Sequence, residues 1–369
     1  MTARLSTFLT GTILGFAMAA AIAQSIPTPS APASNTVNAA SPQQTRAAET
    51  IAAVAAAARA AGVALRDLEW TDAARQRAVP VRVYLPAAAQ SSSPSAAQLP
   101  LVVFSHGLGG SRLGYAHFGL HFAQNGFIAL HVQHAGSDRA VWQGGALAIL
   151  GNVQEAASEA NALGRAKDVS FALDSLLADK DIGPLIDREA IAAAGHSYGA
   201  NTAMLLAGAA VERDGKRIVL ADARIKAAIL LSAPPFHGEG DQTAILRDVR
   251  IPTLHITGTD DLIRVPGYRS DAADRVGVFR DMPAASASPK YLAIYEGGEH
   301  SVFTDRMRSE RALAIKASAR ELSLAFLKAS LRNQPGALST ALAAAKPLLV
   351  TPEQLMARRF EAQVQSSSF

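Results

Sequence analysis

One serine of the chain stands in a setting that could make it a nucleophile. Ser197 is the centre of the pentapeptide G-H-S-Y-G at residues 195–199, which follows an apolar run at 191–194 and precedes a helix-prone run at 201–210. A strand, a sharp turn and a helix in this order predict that the serine has a positive φ and that its hydroxyl points away from the sheet. The flanking glycines fit such a turn, because a Cβ at either position would clash where strand and helix approach each other.

A serine hydroxyl needs a base that accepts its proton, and the base needs a carboxylate that holds its tautomer. His300 follows the last apolar strand, residues 291–295, on a glycine-rich turn, and we select it as the base. Asp260 and Asp261 follow an earlier strand at 253–257. Adjacent carboxylates point in different directions, so only one of them can face His300. The choice between the two stays open, with Asp261 favoured.

Attack of a serine on a carbonyl carbon produces an oxyanion, which needs hydrogen-bond donors that are already in place. The turn S-H-G-L-G-G at residues 105–110 follows the buried run 101–104 and can supply the backbone N–H of Leu108. The N–H of Tyr198, directly after Ser197, can supply the second donor. A phosphate-binding loop is the alternative for these glycines, but the Lys-Ser/Thr ending of a P-loop does not follow them.

Other side chains near predicted strand ends are candidates for contact with a substrate or a metal. The candidates for substrate binding are His106, Trp142, Phe236 and His237. Ordinary packing is the alternative for each of them. His131 and His134 have a spacing that could suit a metal, but they lack a helical register and a nearby pair of carboxylates. We therefore predict no metal and no other cofactor.

The segments that must position these residues alternate between short apolar strands and helices. The predicted strands are 79–85, 101–104, 127–132, 191–194, 227–231, 253–257 and 291–295, and the predicted helices are 46–61, 115–124, 155–177, 201–210 and 311–331. Strands that are apolar on both faces predict an α/β fold, with a mostly parallel central sheet and helices on both faces. Functional residues meet at the carboxyl ends of such strands. Residues 134–151 lack periodicity and are predicted to form an irregular excursion.

Composition excludes several classes of function. The chain has 369 residues, a formal net charge of +4 at pH 7 and no cysteine. The absence of cysteine excludes disulfides, thiolate metal ligands and a cysteine nucleophile. Lysine and arginine are scattered along the chain, so we expect no nucleic-acid partner. The sequence gives no indication of the oligomeric state.

The N-terminus predicts export. Residues 1–23 match a secretory signal peptide, because Arg4 precedes an apolar stretch that ends in a small-x-small cleavage pattern. An uncleaved membrane anchor is the alternative, although threonines and glycines weaken the stretch as a permanent span. Residues 24–45 are predicted to be a flexible linker, and 46–369 a single domain with a C-terminal helical extension that opens on a capping box at 351–354. We expect a secreted or periplasmic protein with no stable membrane span after cleavage.

Two stretches carry a resemblance to known proteins. The runs V-V-F-S-H-G-L-G-G-S-R at 102–112 and G-H-S-Y-G at 195–199 resemble the α/β-hydrolase superfamily, in particular its branch with dienelactone-hydrolase-like proteins and platelet-activating-factor acetylhydrolase. The resemblance covers about residues 79–327 and implies the α/β-hydrolase fold. The roles it implies are nucleophile for Ser197, base for His300, acid for Asp261, and oxyanion donor for Leu108 and Tyr198. Dienelactone hydrolases carry a cysteine nucleophile, which this chain lacks, so dienelactone chemistry is not expected.

These observations together predict an exported serine esterase that acts on a small-molecule or lipid-like ester through an acyl-enzyme. Two alternatives stay open. An acyltransferase would use the same acyl-enzyme and pass the acyl group to an alcohol or a sugar instead of water. A non-catalytic binding protein could also be built on the scaffold of a hydrolase.

Overall fold

The computed structural model describes residues 42–90, 98–236, 238–265, 268–285 and 288–357. The predicted signal peptide, residues 1–23, and residues 24–41 of the predicted linker lie outside the described residues. The first helix begins at Pro42, inside the segment predicted as linker. Contacts divide the chain into two units, and the sheet and the candidate site both lie in the second, Ala47–Phe369.

Strands and helices alternate through the second unit. The strands are β1 (Ala64–Asp72), β2 (Arg77–Leu85), β3 (Leu99–Ser105), β4 (Ile128–Val132), β5 (Ile186–His196), β6 (Ala210–Arg213), β7 (Lys216–Val219), β8 (Ile225–Leu231), β9 (Thr253–Asp260), β10 (Ile263–Val265), β11 (Tyr268–Ser270), β12 (Lys290–Glu299) and β13 (Leu349–Val350). The helices are α1 (Pro42–Ala60), α2 (Ala116–Gln124), α3 (Ala146–Ala156), α4 (Glu159–Ala178), α5 (Tyr198–Ala207), α6 (Gln242–Leu246), α7 (Ala272–Asp281), α8 (Glu310–Leu331) and α9 (Pro335–Ala345). Within the described residues, no helix combines the length and the apolar character needed to cross a bilayer.

The main sheet has nine strands in the order β1-β2-β4-β3-β5-β8-β9-β12-β13. Neighbouring strands from β4 to β12 are all parallel. The edge strands β1, β2 and β13 pair antiparallel. The mostly parallel sheet expected from the sequence is confirmed, and the burial of β3, β4 and β8 explains why they are mostly apolar on both faces.

Helices cover the sheet on both faces. Val169 of α4 and Met204 of α5 belong to the buried cluster on one face. Phe118 of α2 and Phe326 of α8 belong to the cluster on the other. Full burial of a valine, methionine or phenylalanine side chain stabilises a fold by about 2 kcal/mol. The two clusters therefore hold the strands, and with them the strand ends, in place.

Two expectations about helices need correction. The helix predicted over 155–177 begins later, because Ser158 caps α4 and its hydroxyl accepts from the N–H of Asn161. The preceding residues form α3, where only an irregular excursion was expected. Leu147 and Leu150 of this helix are exposed and only Ala156 is fully buried, so its buried face is narrow and gave a weak signal.

The predicted capping box near the C-terminus is confirmed. The hydroxyl of Thr351 accepts from the N–H of Gln354, and the side chain of Gln354 accepts from the N–H of Thr351. A short helix follows at 352–357.

The approach of α5 to the sheet leaves no room for a side chain at two glycines. A Cβ on Gly195 would lie 2.1 Å from the carbonyl oxygen of Gly199, and a Cβ on Gly199 would lie 2.0 Å from that of Ser105. Both obstacles are backbone atoms in the core, which cannot move aside alone. The clash expected from the sequence is therefore confirmed.

We predict that Gly199→Ala lowers the free energy of unfolding by about 3 kcal/mol, because the methyl group overpacks the junction of α5 and β3. Urea denaturation measures this change. Gly151→Ala in α3 is the matched control, since its Cβ would meet nothing within 4 Å. This control should be neutral or stabilising by about 1 kcal/mol. Equal stability of the two variants would contradict the packing argument.

Candidate active site

Ser197 lies in the sharp turn between β5 and α5. Its φ is 55° and its ψ is −121°, so the positive φ expected for this serine is confirmed. Its N–H donates to the carbonyl oxygen of Leu231 at 2.8 Å, which ties the turn to β8. A non-glycine residue in this conformation costs about 1–3 kcal/mol and persists only where the surroundings enforce it.

The structure brings the three predicted polar residues together in one hydrogen-bonded chain. His300 lies in the turn that follows β12, and its Nε2 is 3.0 Å from Ser197 Oγ. Its Nδ1 is 2.7 Å from Asp261 Oδ1, at the end of β9. With Nδ1–H donating to the carboxylate, Nε2 is free to accept the serine proton.

Asp261, rather than Asp260, faces the histidine. The side chain of Asp261 is fully buried, and its second oxygen accepts from the hydroxyl of Thr257 at 2.7 Å. Burial by itself would raise the pKa of Asp261, but the hydrogen bond with His300 and the charge of Arg275, 3.6 Å away, lower it below its ordinary value. Asp261 is therefore ionised at neutral pH. Asp260 is exposed and accepts from a neighbouring threonine.

The glycine-rich turn after β3 engages the backbone N–H groups of its three glycines. The N–H groups of its glycines have acceptors: Gly107 donates to Tyr115 Oη, Gly109 to Ser137 O and Gly110 to Gly107 O. The N–H groups of Leu108 and Tyr198 have no acceptor in the described part of the chain. These are the two amides that the sequence selected as oxyanion donors.

The four candidates for substrate contact lie in different settings. Trp142 is 47% exposed, and its indole N–H donates to Gly109 O at 3.1 Å, so it borders the turn. Phe236 is partly buried against the cluster on the α4–α5 face. His237 lies outside the described residues.

His106 does not suit a substrate contact. It is 1% exposed, and both ring nitrogens are engaged, because Nδ1–H donates to Gly107 O and Nε2 accepts from the N–H of His134. Burial, with the charge of Arg165 adding to it, holds the pKa of His106 well below its ordinary value. His106 is therefore a neutral residue that shapes the turn from inside.

The two histidines considered for a metal are also engaged elsewhere. His134 lies between Ser105 and Asp168, and His131 contacts Gly114 O. Within the described residues, no three or more His, Cys, Asp or Glu side chains are grouped so that they could hold a metal ion.

The sequence analysis missed His196, which links the base to the glycine-rich turn. Its Nε2–H donates to His300 O at 2.8 Å, and its Nδ1 accepts from Tyr115 Oη at 2.9 Å. The same Tyr115 hydroxyl accepts from the N–H of Gly107. Burial lowers the pKa of His196 to about 3, so this ring is neutral. Its position beside Ser197 in the pentapeptide was the one signal that could have found it.

We predict that Asp261→Asn slows covalent modification of Ser197 by a fluorophosphonate by about 10⁴-fold, because the amide no longer holds the His300 tautomer that accepts the serine proton. Asp260→Asn is the matched control and should react at the original rate. Stopped-flow or quenched labelling gives both rate constants. A large loss of rate in the Asp260 variant alone would show that Asp260, and not Asp261, is the acid.

Comparison with known proteins gives one family model and several solved structures. Residues 70–144 match the family model "Platelet-activating factor acetylhydrolase, isoform II". A ferulic acid esterase from Streptomyces cinnamoneus superposes with a TM-score of 0.52 at 21% identity, covering 74% of this chain and 91% of the esterase. An acylaminoacyl peptidase in complex with Z-Gly-Gly-Phe-chloromethyl ketone superposes with a TM-score of 0.50 at 17% identity, covering 73% of this chain and 42% of the peptidase.

A search of curated proteins gave no match. The family model covers the segment from the end of β1 to the residues directly before α3, which includes the glycine-rich turn. The chain therefore has the α/β-hydrolase fold, and its resemblance to the platelet-activating-factor acetylhydrolase branch is confirmed over residues 70–144.

Proposed function

We propose that this protein is a serine hydrolase that cleaves carboxylic esters. The observation that carries the proposal is the hydrogen-bonded chain from Asp261 through His300 to Ser197, with distances of 2.7 Å and 3.0 Å. The serine at its end has the positive φ typical of a nucleophile turn. Side chains in this order are the arrangement by which a serine hydroxyl is activated at neutral pH.

The reaction begins when Ser197 Oγ attacks the ester carbonyl carbon and His300 Nε2 takes the hydroxyl proton. Asp261, ionised and hydrogen-bonded to Nδ1–H, stabilises the imidazolium that forms. The negative charge on the carbonyl oxygen is met by the free N–H groups of Leu108 and Tyr198, each worth about 3 kcal/mol to the transition state.

Collapse of this intermediate expels the alcohol, which takes the proton from His300, and leaves an acyl group on Ser197. Water then attacks the acyl carbon while His300 removes one of its protons. The second tetrahedral intermediate breaks down to release the acid, and the proton returns to Ser197.

The surroundings of the turn support an apolar group on the substrate. Trp142 borders the turn and is half-exposed, and α3 packs behind it through hydrogen bonds from Asn152 to the carbonyl oxygens of Val141 and Gln143. Leu147 of α3 is 86% exposed. A small or lipid-like ester fits such a border better than a strongly charged one. The names of the similar proteins, an acetylhydrolase and an esterase, support the same class.

We further propose that the protein is exported, on the evidence of residues 1–23 alone. The prediction is that protein recovered from the periplasm or the medium begins near Gln24, because the small-x-small pattern directs cleavage there. N-terminal sequencing of the recovered protein measures this. An N-terminus at Met1 in that fraction would favour the alternative of an uncleaved anchor.

We predict that Ser197→Ala lowers kcat for a short p-nitrophenyl ester by about 10⁶-fold and abolishes labelling by a fluorophosphonate, because it removes the hydroxyl that is hydrogen-bonded to His300 Nε2. Ser339→Ala, at an exposed position of α9, is the control and should retain both properties. Undiminished labelling of Ser197→Ala would show that the nucleophile is another residue.

Product analysis separates hydrolysis from the alternatives. Wild-type enzyme is given an ester in water with and without competing alcohols or sugars, and a peptide anilide is tested in parallel. Free acid as the main product supports an esterase. Predominant transfer to the acceptor would identify an acyltransferase, and failure to turn over any ester would favour a binding protein.

A further inference from the structure

Arg165 of α4 carries a positive charge in the interior of the protein. Its exposed fraction is 0%, and by volume it is the largest fully buried side chain among the described residues. Transfer of a guanidinium from water to the interior is costly, and buried charges are normally paired with an opposite charge. Burial lowers the pKa of Arg165 only to about 10, so the group stays protonated at neutral pH.

No acid in the described part of the chain forms an ion pair with Arg165. The nearest acid on the same helix, Asp168, is instead held by Arg75 and Arg77, at 2.8 Å and 2.7 Å, and by His134. The charge of Asp168 is therefore already balanced. Asp168 acts on Arg165 only at a distance, where its charge partly offsets the effect of burial on the pKa of Arg165. The position of Arg165 therefore needs a reason other than an ion pair.

The hydrogen bonds of Arg165 all run to neutral groups beside the two oxyanion donors. Nη2 donates to the carbonyl oxygen of His106 and Nη1 to the hydroxyl of Ser137 at 2.7 Å. The first partner lies two residues before Leu108. The carbonyl oxygen of Ser137 accepts from the N–H of Gly109, directly after Leu108. Arg165 thus fixes both sides of the Leu108 amide.

The same guanidinium holds the helix that carries the other donor. Nε donates to the hydroxyl of Thr202 at 3.0 Å, and the guanidinium carbon lies 4.5 Å from the centroid of the Tyr198 ring. Both residues belong to α5. One rigid planar group with several donors therefore joins the segment of Leu108 to the segment of Tyr198.

We propose that Arg165 is a positioning residue for the oxyanion site, resting on the proposed ester hydrolysis. It sets the spacing between the Leu108 and Tyr198 amides, and its unpaired positive charge favours the state in which the carbonyl oxygen becomes negative. Preorganised donors and fixed charge act on the transition state more than on the neutral ester. Removal of Arg165 should therefore lower kcat and leave KM nearly unchanged.

The test compares Arg165→Met and Arg165→Lys with the wild type in kcat and KM for a p-nitrophenyl ester, with active sites counted by the end point of fluorophosphonate labelling. Arg165→Met should lower kcat per labelled site by about 10³-fold, since both the fork and the charge are lost. Arg165→Lys keeps the charge but not the forked set of donors, so its kcat per labelled site should lie between those of Arg165→Met and the wild type. KM should change by less than about threefold in both variants, because neither substitution alters the binding of the neutral ester.

Arg82→Met is the matched control for loss of a buried arginine. Arg82 lies on β2 and pairs with Asp67, away from the site, so its loss should lower stability and leave kcat per labelled site unchanged. If Arg165→Met does not fold, Ser137→Ala removes one partner hydroxyl and should lower kcat by about tenfold without a change in KM.

Affinity for a trifluoromethyl ketone, which forms an oxyanion adduct with serine, gives a second measurement. It should fall in parallel with kcat/KM across the Arg165 variants, a result that a purely structural role would not produce. A wild-type enzyme that is active and labelled, with Arg165→Met equally active per site, would overturn the role of Arg165 and leave the esterase proposal standing. Full activity of Ser197→Ala would overturn the esterase proposal, and the role of Arg165 with it.

Discussion

The close approach of α5 to β3 and β5 is the constraint on which the candidate site depends. Gly195 and Gly199 leave the space for it, and the chain can pass between them only by turning sharply at Ser197. The strain of the positive φ is offset by the buried contacts of the helix and by the bond from the Ser197 amide to β8. The same turn frees the first amide of α5, that of Tyr198, from any partner within the described residues. One packing constraint thus sets the direction of the hydroxyl and also exposes a donor beside it.

A second serine, histidine and aspartate are linked in the same protein, and the comparison shows what distinguishes a reactive arrangement. Ser105 donates to His134 Nε2 at 2.7 Å, and His134 Nδ1–H donates to Asp168 at 3.1 Å. Burial raises the pKa of Asp168, but its hydrogen bonds with His134 and Arg77 outweigh this and lower it to about 2. His134 and Asp168 are 0% exposed and Ser105 is 2% exposed, so no ester reaches this serine. The side chain of His300, by contrast, is 22% exposed. Residue types and distances alone do not define the site; access for a substrate does.

The sequence reveals those parts of the site that are fixed by local chain geometry. The pentapeptide around Ser197 and the glycine-rich turn before Leu108 are local patterns, and His300 could be selected because it follows the last buried strand. The choice of Asp261 over Asp260 depends on burial and on Arg275 of α7, and no local pattern reveals either of them. Arg165 was missed for a related reason, since an arginine in a helix is normally taken as exposed and its burial follows from the packing of α4 against α5. The helix α3 was not predicted because its buried face is narrow, with Leu147 and Leu150 exposed.

Arg165 and Arg275 give the site an electrostatic asymmetry that suits ester cleavage. Arg275 is 2% exposed, donates to the hydroxyl of Ser270 and lies 3.6 Å from Asp261, so its charge balances the one permanent anion of the hydrogen-bonded chain. Arg165 forms no ion pair within the described residues, and its hydrogen bonds run to neutral groups. Before substrate binds, the charges of Arg275 and Asp261 offset each other, whereas the charge of Arg165, near the amides of Leu108 and Tyr198, has no ion-pair partner within the described residues. A negative charge is supplied there only when a carbonyl oxygen becomes an oxyanion. If the protein cleaves esters as proposed, the folded state carries the cost of burying Arg165 before substrate binds, and the charge stabilises the transition state more than the bound neutral ester.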